Sequence, residues 1–153
     1  MSESLDRFID AQSSTYPAAL REIKNGRKTG HWMWYIFPQL KGLGYSEMAT
    51  RYAIEELQEA QNFYAHPILG NRLIEISTAV LEAKTENATQ LMGSPDDLKL
   101  RSSMTLFSEL KNVHPVFQQV LDKFFKSKKD PKTLTLLAHS RSAPNKNSGQ
   151  TVL

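Results

Sequence analysis

Residues 31 to 39 (His31-Trp32-Met33-Trp34-Tyr35-Ile36-Phe37-Pro38-Gln39) hold both tryptophans of this 153-residue chain and open on a histidine. An imidazole set against indole rings can carry a proton near neutral pH, which makes His31 the best acid–base candidate of the four histidines. Asn25-Gly26-Arg27-Lys28-Thr29-Gly30 leads into the run and brings positive charge, and Lys41-Gly42-Leu43-Gly44 follows it. Lys28 to neutralise an anion, with Trp32 or Trp34 to stack on a flat ring, would suit an anionic, ring-containing small molecule. The bland counterpart is the keystone of a small core, in which the histidine is simply packed.

Polar residues misplaced on helical wheels add to this set. In the stretch after Pro95, Leu100, Met104, Leu106, Phe107 and Leu110 define an apolar arc, and Asp96, Lys99 and Ser103 fall inside it. A lysine among core-facing leucines must snorkel, pair or line a cavity. Asp96 lies three residues before Lys99 and can pair with it locally. Arg72 projects beside the apolar arc of Leu69, Leu73, Ile76, Ala79 and Val80, where its fork suits a carboxylate or phosphate. Glu56 and Glu59 lie in and at the border of a third apolar face, and either could answer Arg72 or Lys99.

The elements that must position these groups read as helices. Leu5 to Ile9 opens a short turn, and a second helix starts near Pro17 and ends at Gly26. Ser46 caps a long helix from Glu47 to about Tyr64, broken by His66-Pro67, and another follows to about Ala83. Asn87 to Met92 gives one turn stopped by Gly93. Ser94 as N-cap, Pro95 in the first turn and two aspartates start a helix to about Lys111. Helices at Pro115 to Phe125 and at Pro131 to Ala138, the latter capped by Asp130, complete the set. No stretch sustains strand alternation, and the aromatic run, whose Trp, Tyr and Ile suit a strand, reads as either a buried turn of helix or an extended segment, with helix preferred.

Composition narrows the function classes. Without cysteine there are no disulfides and no thiolate zinc sites. The histidines show no ligand spacing for a metal, and no Walker loop, dinucleotide fingerprint or serine nucleophile elbow occurs, so no cofactor is expected. The net charge of +3 is unevenly placed. From Asp122 onward seven Lys or Arg face two acids, which leaves the preceding residues slightly acidic. Nucleic acid is therefore disfavoured as a partner, and no apolar stretch approaches the ~20 residues of a membrane span. The acidic Met1-Ser2-Glu3-Ser4 lacks the basic start of a signal peptide, and a cytoplasmic location is expected.

Several blocks carry a family likeness. They are Asp6 to Gln12, Gly26-Arg27-Lys28 with His31 to Gln39, Tyr52-Ala53-Ile54 and Glu59-Ala60. Further along come His66-Pro67-x-Leu69-Gly70-x-Arg72-Leu73 and Asp96-x-x-Lys99-Leu100-x-Ser102-Ser103-Met104-Thr105-Leu106-Phe107. Together they resemble the domain of unknown function 1810 family, whose bacterial members are often mislabelled calpastatin. The chain lacks the disordered composition that such an inhibitor would show. The resemblance implies a compact all-helical domain and brings no activity, cofactor or substrate with it. Asp96, Lys99, Ser103, Arg72 and Glu59 are family-motif positions and Glu56 is not, which favours Glu59 as the acidic partner.

The expectation is an all-α, single-domain bundle of about six to eight helices over residues 1–138, with a weakly ordered polar, basic tail at 139–153. Its expected site is a pocket for an anionic, nucleotide-like molecule, with hydrolase or transferase chemistry as one outcome. His31, Asp96 and Glu59 would handle protons, while Lys28, Trp32, Trp34, Arg72, Lys99 and Ser103 would bind. The alternative is a non-catalytic protein-interaction module whose buried polar network is structural.

Overall fold

The computed structural model describes residues 2–142, and within them the chain is all-helical. The first helix, α1, runs unbroken from Ser2 to Lys24 through Pro17. Two helices were expected here, and the apolar stripe explains their fusion. Leu5, Phe8, Gln12, Tyr16, Ala19 and Ile23 are buried at three- and four-residue steps straight across the proline. Pro17 lies on the exposed side, away from the buried stripe. Gly26, at φ +87°, turns the chain out of the helix.

The aromatic run forms a single helical turn, α2 (Met33–Ile36). Ser46 caps α3 (Glu47–Arg51) as its sequence suggests, its side chain accepting the amide of Ala49. The long helix expected to follow is instead broken. Ile54 is extended and pairs with Leu40, through Lys41 N to Ile54 O at 2.8 Å and Ile54 N to Gln39 O at 2.8 Å. A new helix, α4 (Leu57–Ala65), starts beyond it, with Glu56 as N-cap accepting the amide of Glu59. Glu56 is thus an exposed cap and not a core-facing residue.

Five more helices follow. They are α5 (Leu69–Leu81), α6 (Ala88–Met92), α7 (Asp96–Ser108), α8 (Val116–Phe125) and α9 (Pro131–Ser142). Nine helices lie among the described residues, the split of the Glu47–Tyr64 segment offsetting the fusion within α1. Pro95, after a cis peptide with Ser94, is the N-cap of α7, so Ser94 does not cap it. The helix from Pro131 passes Ala138 and continues to Ser142, and the rest of the expected tail, 143–153, lies outside the described residues. No helix among the described residues is long and apolar enough to cross a membrane.

The core runs between α1, α4, α5, α7 and α8. A line of rings crosses it, with Phe8 5.0 Å from Phe63, Phe63 5.6 Å from Phe107 and Phe107 5.8 Å from Phe117. Every residue of α7 from Ser102 to Phe107 is buried. That central position holds the start of α7 rigidly against the loop before α2, where the candidate site lies.

Candidate functional site

A recess of about 280 Å³ opens between residues 28–34 and the start of α7. Lys28, His31, Met33 and Trp34 line one side, with Ser94, Pro95 and Asp96 on the other. Lys28 reaches its place because its amide bonds Leu91 O at 2.8 Å, which ties the loop to the end of α6. Its ammonium is nearly buried and sits 2.7 Å from Asp96 Oδ2, while also donating to Gly30 O at 2.5 Å. It lies 4.9 Å from the centre of the Trp32 ring. Lys99, one turn along α7, approaches the other oxygen of Asp96 at 3.7 Å and lies 5.5 Å from the Trp34 ring centre. One carboxylate therefore answers two ammonium groups, each set over an indole.

The two tryptophans have different roles in this geometry. Trp32 is 3 % exposed and belongs to the core, where its ring meets Phe37. Trp34 is only partly buried and lines the recess. His31 is exposed at the same opening.

The turn that carries Lys28 and His31 is held from behind by Glu22 on α1. Its Oε1 accepts the amides of Thr29 at 2.8 Å and Gly30 at 2.9 Å, and the indole N–H of Trp32 at 2.9 Å. Burial pushes this carboxyl upward, and the hydrogen bonds from Gly30, Thr29 and Trp32 outweigh it, leaving the group below its ordinary range. Sequence reasoning did not single out Glu22. The available signal was an acidic residue in the last turn of a helix, where the dipole disfavours negative charge.

Three expected members of the constellation lie elsewhere. Glu59 is buried at 5 % exposure and faces Arg7, with Nη2 to Oε1 at 3.3 Å and Nη1 to Oε2 at 3.4 Å. Arg7 also donates to Arg51 O at 2.8 Å and Ala53 O at 2.6 Å, the carbonyls freed where the chain leaves α3. Arg72 bonds Gln12 Oε1 at 3.3 Å and lies 5.2 Å from the centre of the Tyr16 ring. Gln12 in turn donates to Tyr35 O at 2.8 Å, so Arg72 reaches the aromatic turn only through a buried amide. Burial raises the Tyr16 hydroxyl well above its ordinary range, and its bond to Glu75 at 2.6 Å adds to the effect. Ser103 is fully buried inside α7, and its Oγ has no hydrogen-bond partner among the described residues.

His66 and His114 serve at helix starts. His66 Nδ1 accepts the amides of Ile68 and Leu69, and His114 Nδ1 accepts that of Val116. Among the described residues no group of three or more His, Asp or Glu could hold a metal ion.

A small all-helical domain carrying these motif blocks defines a recognisable class. The family model described as Protein of unknown function (DUF1810) matches residues 2–137, and the chain belongs to that family. It is also similar to a solved structure, that of the conserved hypothetical protein Rv1873 from Mycobacterium tuberculosis. The two share 44% identity and a TM-score of 0.86, covering 88% of this chain and 96% of that one. No curated protein matches the chain at a significant level.

Proposed function

We propose that the recess beside Trp34 binds a small anionic molecule carrying a flat ring, of nucleotide-like chemistry. One observation carries this reading: Lys28 and Lys99 share the single carboxylate of Asp96 at the edge of an opening. At Asp96 two ammonium groups face one carboxylate, and the 3.7 Å separation places Lys99 outside hydrogen-bond reach of it. An anionic group entering beside Asp96 would displace water from the partly exposed Lys99 ammonium and would break none of its hydrogen bonds to Asp96. Trp34 offers its ring for stacking, an interaction worth about 0.5–1.5 kcal/mol beyond area burial for aromatic pairs.

Size restricts the ligand. At about 280 Å³ the recess sits just under the roughly 300–1,000 Å³ usual for small-molecule sites, which favours a mononucleotide or a phosphorylated fragment over a dinucleotide. If the site is also catalytic, His31 and Asp96 are the groups at the opening that could exchange protons in a hydrolase or transferase reaction. For Glu59 and Arg72 a specific observation favours the other reading, a structural polar network. Both are tied to protein partners away from the recess, Glu59 to Arg7 and Arg72 to Gln12.

A thermal-shift screen of nucleoside monophosphates and phosphorylated metabolites tests the proposal. A ligand at a hundredfold excess over its Kd adds about 2.7 kcal/mol to the folded state, which raises the melting temperature measurably. We expect ring-bearing monoanions and dianions to stabilise the protein more than phosphate alone. Equal responses to phosphate and to ring-bearing anions would remove the stacking role of Trp34, and no response to any member would remove the proposal.

A further inference from the structure

We infer that Glu22 is the positioning residue of this recess: its carboxylate fixes the Thr29–Trp32 turn and, through Gly30, sets the Lys28 ammonium opposite Asp96. The inference rests on the ligand-binding reading above and deepens it, because it assigns the group that preorganises the site.

Glu22 lies where a carboxylate is a poor choice for the helix alone. The last turn of α1 carries Arg21 and Lys24, as the negative end of a helix dipole favours, and Glu22 stands between them. Its oxygen is used outside the helix, by three N–H groups from Thr29, Gly30 and Trp32. The backbone carbonyl of Glu22 takes the amide of Arg27 at 3.1 Å, so the same residue holds both ends of the turn.

Gly30 transmits this hold. Its N–H goes to Glu22 and its C=O receives the Lys28 ammonium, which continues to Asp96 at 2.7 Å. A Cβ at position 30 would come within 2.9 Å of Trp32 Cδ1 and 3.2 Å of Glu22 Oε2, so indole and carboxylate close tightly over this backbone. Glu22 is not among the residues that line the recess. It acts on the site entirely through the turn, and a rigid supporting group of this kind is what keeps an ammonium in place before a ligand arrives.

The test uses Glu22→Ala and Glu22→Gln in the full chain. Alanine favours helix and removes an unfavourable charge at the helix end, while glutamine keeps an acceptor oxygen without the charge. The readouts are the Trp32 indole N–H and Asp96 carboxyl-carbon resonances by NMR, and the affinity for adenosine 5′-monophosphate by titration. Glu22→Ala is expected to move both resonances and to weaken the nucleotide about tenfold, equivalent to about 1.4 kcal/mol, with Glu22→Gln in between. The Asp96 resonance is decisive, since Glu22 makes no contact with Asp96 and a role confined to the end of α1 would leave it in place. An unmoved Asp96 signal, or an unchanged nucleotide affinity, overturns the inference. If the wild type binds no nucleotide, that result counts against the ligand reading, and the Asp96 signal alone then decides the role of Glu22. Should Glu22→Ala fail to fold, Glu22→Gln supplies the same readouts.

Discussion

Two ion-pair clusters in this domain use similar parts in opposite ways. Around Glu59, the carboxylate meets the Arg7 guanidinium, and both groups also bind backbone at the break between α3 and α4. Arg7 donates to two carbonyls at the end of α3, and Glu59 Oε1 also takes the amide of Glu55 at 2.8 Å. Around Asp96, one carboxylate meets two ammonium groups beside an opening, with indole faces completing the surroundings. The first cluster closes a break in the chain, for without Arg7 the carbonyls of Arg51 and Ala53 would lose their partner. The second leaves positive charge over. A charged group on an apolar helix face is thus equally compatible with architecture and with recognition, and the place of its partners, at a chain break or at an opening, separates the two.

The sharpest way to break the comparison is Glu59→Ala. It would take the carboxylate from the partly buried Arg7 and leave the amide of Glu55 without its acceptor, and removing one member of a buried pair costs about 3–5 kcal/mol. Because Arg7 retains two carbonyl acceptors, we expect about 3 kcal/mol, read from denaturant unfolding, with nucleotide affinity of the folded fraction unchanged. A loss below about 1 kcal/mol would show that the cluster is no architectural clamp. Lys28→Met should act the other way round. Asp96 keeps Lys99 and partial access to water, and methionine fills the space of the lysine stem, so stability should fall by about 1 kcal/mol while nucleotide binding drops at least about tenfold. A stability loss matching that of Glu59→Ala would erase the distinction between the clusters.

The local part of this architecture was legible and the long-range part was not. Ser46 and Asp130 cap helices in the structure as their positions suggest, because a cap depends only on the next three residues. Pro17 misleads because a burial stripe from Leu5 to Ile23 outweighs one missing donor. The break after Arg51 was invisible, since it depends on Leu40 and Arg7, distant in sequence, which bind the backbone that a helix would have used.

The same division holds for the candidate site. Lys28, His31, Trp34 and Asp96 surround one recess, and Lys99 reaches it through Asp96, all flagged by charge or ring type beside apolar neighbours. Glu59 and Arg72 drew attention on the same ground, but their partners, Arg7 and Gln12, come from α1 and could not be assigned by helical wheels. Glu22 looked like an ordinary surface acid, and only the folded turn shows three donors converging on it.

The central claim is that the spare charge at Asp96 makes an anion site, and Lys99 supplies it. Lys99→Met removes a partly exposed ammonium whose ion pair, at 3.7 Å, is worth no more than about 0.5 kcal/mol, so the fold should hardly notice. Calorimetric titration of adenosine 5′-monophosphate into wild type and Lys99→Met measures the site directly. We expect wild-type binding that weakens at least about tenfold in the variant while its melting temperature stays nearly level. Equal affinity in the two proteins, or no binding by the wild type, would contradict the account.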